Sequence, residues 1–178
     1  MKTITETGKE FERERALNVV IAFDDLRAGR KAKELCDRLA LRLSPDCALH
    51  IGLWSLSVLQ IPQVLQAAAK QAARAALVVI AVDGQTDLTL SAKTWVTMFS
   101  TGRTSADGAL AVLFHGASRL RENLAPSCAF LRRAARTAGR TFFSQVIETD
   151  DDLTYSFELM HQRASTRTAV LNAILEHA

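Results

Sequence analysis

Three apolar runs, each closing on a polar turn, constrain this chain more than any other feature. They are residues 17–23 (LNVVIAF) before Asp24-Asp25, 77–82 (LVVIAV) before Asp83-Gly84, and 109–114 (ALAVLF) before His115-Gly116. Continuous aliphatic runs of this length, separated by long helical segments, read as strands buried on both faces of a parallel sheet. In open sheets of that kind, ligands bind beyond the carboxyl ends of the strands. Asp24, Asp25, Asp83, Gly84, His115 and Gly116 therefore mark the edge where a ligand site is expected.

The segments between the runs supply the helices. Residues 26–43 place Leu35, Leu39 and Leu43 four apart, with Ala28, Ala32 and Cys36 beside them and charged residues opposite. That is an amphipathic helix, stopped by Ser44-Pro45-Asp46. A second strand follows over 47–54, then a loop over 55–61, and Pro62 suits the first turn of the next helix. The alanine-rich stretch 63–76 is strongly helical, and its small side chains allow close approach to a sheet. Residues 90–99 form a helix with Trp95, Met98 and Phe99 on its apolar side, and 101–108 is a turn-rich loop. A helix over 126–138 ends at Gly139, strand five spans 141–147, and an acidic cluster at 149–152 opens a final helix to about 176. Residues 1–15 are a tail and 16–178 a single domain. Right-handed crossovers put helices on both faces of the sheet. The expected fold is α/β: a three-layer αβα sandwich on a five-stranded parallel sheet with the flavodoxin-like order 2-1-3-4-5. That order makes strands one and three neighbours, so Asp24, Asp25 and Asp83 should converge at the switch point.

Composition narrows the function classes. With 178 residues, 48% of them apolar, the chain has enough material for one sizeable core. No apolar run reaches membrane-spanning length and the N-terminal stretch lacks a signal-peptide core, so a soluble, cytoplasmic protein without membrane contact is expected. Net charge is only +3, although seven arginines lie between Arg103 and Arg140. They read as solvated helix and loop charges. No recognition helix, zinc spacing or aromatic-rich strand accompanies them, so a nucleic-acid partner is not expected. Cys36, Cys47 and Cys128 lie outside any C-x-x-C pattern and read as unreactive thiols. His50, inside an apolar strand, reads as a core histidine; His161 and His177 belong to the polar side of the last helix. His115 reads as a hydrogen-bonded rim histidine, with general base or metal ligand as the alternative. Packing accounts for Trp54 and Trp95. Neither a P-loop nor a G-x-S-x-G or G-x-G-x-x-G motif is present.

Three carboxylates at one strand edge repel each other, so they need a cation or must hold a proton. A hard divalent ion such as Mg²⁺, bound by Asp24, Asp25 and Asp83, is the natural partner. The alternative is structural: Asp24 or Asp25 caps the following helix, and Asp83 helps make the Asp-Gly turn.

The stretch VVIAFDD followed by a helix resembles the opening of a response-regulator receiver domain, and AALVVIAVDG resembles the receiver's third strand. The resemblance implies that Asp24 and Asp25 are metal-binding acids and Asp83 the phosphoacceptor. The chain departs from that family at three places. His115 stands where receivers have Ser or Thr, strand five (TFFSQVI) has no terminal Lys, and Gly84-Gln85-Thr86 replaces the Met-Pro pair. The implied protein is a degenerate, non-phosphorylated receiver that binds a protein partner or a second copy of itself and has no catalytic residues. If it pairs with itself, helix 126–138, strand five and the final helix form the expected surface. A second reading rests on a likeness of AALVVIAVDG and the helix after it to NADPH-dependent FMN reductases, with FMN as cofactor. Two aspartates beside the phosphate pocket oppose it. A third is Mg²⁺-assisted phosphoryl transfer with Asp83 as nucleophile.

Overall fold

The computed structural model describes residues 15–42, 47–102, 108–116 and 127–147. Its elements are β1 (Arg15–Phe23), α1 (Leu26–Arg42), β2 (Cys47–Ser55), a 3₁₀ turn (Leu56–Gln60), α2 (Pro62–Arg74), β3 (Leu77–Asp83), α3 (Leu90–Thr101), β4 (Ala109–His115), α4 (Cys128–Thr137) and β5 (Thr141–Ile147). The strands form one parallel sheet in the order β2-β1-β3-β4-β5. This is the expected α/β architecture and strand order. The expected tail, the helix stop at residues 44–46 and the final helix lie outside the described residues.

The apolar runs fold as strands because the sheet buries both of their faces. In β3 and β4 the first six residues are all buried, and only the closing Asp83 and His115 reach partial exposure. Successive side chains alternate between two cores. Val20, Ala22, Val78, Ile80, Leu110, Val112 and Phe114 pack against α2, α3 and α4, where Trp95, Phe99 and Leu131 fill the layer. Val19, Ile21, Val79, Ala81, Ala111 and Leu113 share the opposite core with Ala28, Ala32, Leu35 and Cys36 of α1. Close packing depends on small residues in the helices. Ala68, Ala69 and Ala72 bury the inner side of α2. At Gly29 an added Cβ would sit 2.7 Å from the Phe23 ring, so glycine lets that ring lie against α1.

Local capping explains where the helices begin. Asp25 Oδ1 accepts the Ala28 N–H at 2.8 Å, Thr89 Oγ1 accepts the Ala92 N–H at 3.3 Å, and Pro62 opens α2. Segment 55–61, read as a loop, is instead a 3₁₀ turn, because Ser55 caps it through the Ser57 N–H. Helix α3 continues to Thr101, and α4 starts at Cys128.

Two expectations are corrected. β2 is an edge strand, none of residues 48–55 is buried, and His50 is exposed where a core histidine was expected. Arg140 is not a solvated charge. It is 4% exposed, and its guanidinium donates to the carbonyls of Ala72, Ala73 and Ala75 at 2.9, 3.2 and 2.8 Å. The carbonyls lie at the end of α2, where Ala72 also accepts the Ala75 N–H, and the side chain just before β5 completes the closure of that helix. Trp95 is buried with its ring edge-on to Phe99, and burial pushes the Cys36 thiol up to about 12. Among the described residues no helix is long and apolar enough to cross a membrane.

Candidate functional site

The parallel order brings the ends of β1, β3 and β4 side by side, and their closing residues build one network. Asp24, just after β1, donates its N–H to the Ala81 carbonyl at 3.1 Å. Its carboxylate is then shared between the two neighbouring strand ends. Oδ2 accepts the Asp83 backbone N–H at 2.6 Å, and Oδ1 lies 2.8 Å from His115 Nε2. Asp25 Oδ2 stands 3.9 Å from the same imidazole nitrogen, while its other oxygen caps α1. Asp83 Oδ1 accepts the Gln85 N–H at 2.8 Å, making the turn after β3. The Gly84 N–H donates to the His115 carbonyl at 2.8 Å, and Gln85 Nε2 donates to the Gly116 carbonyl. Gly116 has φ +70°, a left-handed conformation that a Cβ would strain, and it lets the chain turn out of β4 here.

The electrostatics follow from these contacts. The Asp24 hydrogen bond raises the His115 pKa above the ordinary histidine value. Burial opposes it, and the charges of Asp24, Asp25 and Asp83 add to it. For Asp24, burial alone would raise the carboxyl. The His115 hydrogen bond, the Asp83 N–H and the imidazolium charge together outweigh it and hold the group below the ordinary carboxylate range. The Asp24 and His115 side chains are 31% and 27% exposed, so the pair is reachable by solvent.

Asp24, Asp25, Asp83, Gly84, His115 and Gly116 thus all sit on one strand edge. The carboxylates expected together divide their roles. Asp24, Asp25 and His115 each offer one ligand atom, all within 4.8 Å of one another, whereas Asp83 meets Asp24 through its backbone N–H. A divalent ion at Asp24, Asp25 and His115 would need a neutral imidazole, so it would displace the His115 proton and the hydrogen bond to Asp24. A nitrogen donor beside two carboxylates also suits borderline metals better than Mg²⁺. The role of His115 was the least legible of these. It lies 91 residues from Asp24, and only the strand order joins them.

The same edge is a poor fit for a flavin phosphate. Such a group is held by free backbone N–H donors at the start of the helix after β1. Here the Asp25 carboxylate already takes the Ala28 N–H, its carbonyl takes the Gly29 N–H, and its charge repels a phosphate.

No protein-family model matches this chain, and neither does any curated protein. Solved structures do. A short-chain flavodoxin associated with a bacterial microcompartment matches with a TM-score of 0.53 at 16% identity, over 85% of this chain and 98% of that one. The protein Smu.1420 from Streptococcus mutans UA159 matches with a TM-score of 0.50 at 5% identity, over 83% of this chain and 98% of that one. At these identities the likeness shows a flavodoxin-like fold.

Proposed function

We propose that this chain is a receiver-like interaction module. Its switch point is closed by the Asp24–His115 ion pair and takes no phosphoryl group, and it acts by binding a protein partner. One observation carries the reading: both oxygens of Asp24 are engaged, one by a neighbouring strand's backbone and one by the His115 imidazole. A metal-dependent phosphoacceptor site needs carboxylate oxygens free for the ion. In this chain His115 supplies the positive charge from within. Asp83, the position of the phosphoacceptor in the resemblance, uses Oδ1 to hold its own turn.

The test is intact-mass spectrometry after incubation with acetyl phosphate and Mg²⁺. The reading predicts no added phosphoryl mass. An adduct on the wild type that disappears in Asp83→Asn would overturn it.

The second reading, an FMN-dependent flavodoxin-like reductase, draws on the structural likeness to a short-chain flavodoxin. FMN at about a hundred times its dissociation constant would stabilise the native state by about 2.7 kcal/mol. A rise in Tm of that order with FMN would favour this reading, and the charge at Asp25 predicts its absence.

A further inference from the structure

β2 is one of the two edge strands of the sheet, with β5 on the opposite side. It pairs with β1 along all nine of its residues without a bulge, and its other edge pairs with no strand among the described residues. Natural edge strands are usually blunted by proline, lysine or a bulge. β2 has none of these: its sequence is CALHIGLWS, with no lysine, arginine, aspartate or glutamate. Its two faces are chemically distinct. Leu49 and Ile51 pack toward α1, and Leu53, of the same parity, is 49% exposed. The other parity faces α2, where Gly52 and Trp54 meet Gln71.

On the α2 side the strand borders an open groove of about 520 Å³, whose lining includes His50, Lys70 and Arg74 and contains no carboxylate. Lys70 and Arg74 are exposed, and neither forms an ion pair among the described residues. A second copy pairing here through a two-fold axis would bring two such sets of cations together. An acidic strand would meet them with opposite charge.

We propose that β2 is a docking edge for an extended peptide in which acidic residues alternate with apolar ones. The peptide adds a sixth strand through backbone hydrogen bonds. Its carboxylates face Lys70, Arg74 and His50, and its apolar side chains lie beside Leu49, Ile51 and Leu53. This is recognition by strand addition: the main chain supplies affinity, and the flanking groove reads alternate side chains. The inference rests on the reading of the chain as a partner-binding module, but not on the network at the carboxyl ends of β1, β3 and β4.

The experiment uses a short fluorescent peptide of alternating Glu and Val, with the full-length protein, read by anisotropy and amide chemical-shift mapping. Shifts should concentrate in residues 47–55 and 67–74. The double variant Lys70→Glu, Arg74→Glu, which changes only exposed side chains, should bind about tenfold more weakly or less. N-methylation of alternate peptide amides should abolish binding. Three results would overturn the proposal: no binding at millimolar peptide, binding that survives N-methylation, or a concentration-dependent dimer in light scattering that occludes residues 47–55. An Asp83-dependent phosphoryl adduct with intact peptide binding would instead remove the reading of the switch point and leave the docking edge standing.

Discussion

The two ends of the sheet each anchor a basic side chain, Arg140 at one and His115 at the other, in opposite ways. At the amino-terminal end, Arg140 is sealed from solvent and bonded to the backbone carbonyls that end α2, with no carboxylate among its hydrogen-bond partners. At the carboxyl-terminal end, His115 is partly open to solvent and paired with Asp24. Burial pulls the Arg140 pKa down, yet a guanidinium stays charged at any ordinary pH. The imidazole, its pKa raised by Asp24, can still lose its proton as pH rises. The first end is therefore fixed, and the second can respond to pH, to a metal or to a partner. Access to solvent, more than charge, separates the structural site from the candidate site here.

The sharpest way to break this comparison is to remove the buried cation. Arg140→Met strands the last carbonyls of α2 in an apolar setting, and we expect a loss of about 3 kcal/mol in urea denaturation. Arg140→Lys keeps a charge but cannot reach all of those oxygens, so it should fall between the two. A loss under about 0.5 kcal/mol in Arg140→Met would put both ends in the same class. A gentler probe is Gly108→Ala. The added Cβ would lie 2.6 Å from Arg140 Nη1, a group anchored by its hydrogen bonds, so the substitution should cost about 2 kcal/mol. The same measurement on an Arg140→Met background should show much of that cost relieved.

The rim pair should give the smallest effect and a pH dependence. Because the His115 pKa is raised on folding, its contribution is complete below the ordinary histidine value and is lost as pH rises through the raised one. Because the Asp24 pKa is lowered, its contribution is present above the ordinary carboxylate value and is lost as pH falls through the depressed one. The pair thus stabilises most between those two ordinary values. Asp24→Asn should cost about 1 kcal/mol in that window and less on either side of it. A uniform loss across the whole range, measured by thermal melts from acid to alkaline pH, would mean that the pair contributes by packing and not by charge.

The fold was legible because its centre is uniform. Runs such as 77–82 are buried on both faces and so are aliphatic throughout, and the polar closure of each run marks where the strand leaves the core. The same rule misled at the edge. Residues 47–54 are also apolar, yet β2 has a neighbour on one side only, and His50 is exposed as a result. Arg140 escaped notice for a different reason. Its partners are backbone carbonyls more than sixty residues earlier in the chain, which leave no mark on side-chain patterns. The position of the candidate site followed from strand order. Its internal pairing did not, because the choice between a third aspartate and His115 beside Asp24 depends on the geometry with which each strand ends.

The account turns on whether His115 serves as the internal counter-ion of Asp24. The direct measurement is an NMR titration of the His115 imidazole in the wild type and in Asp24→Asn. The account predicts a pKa above the ordinary histidine value in the wild type and a fall toward that value in the variant. A wild-type His115 that titrates at or below the ordinary value, with no change in Asp24→Asn, would contradict it.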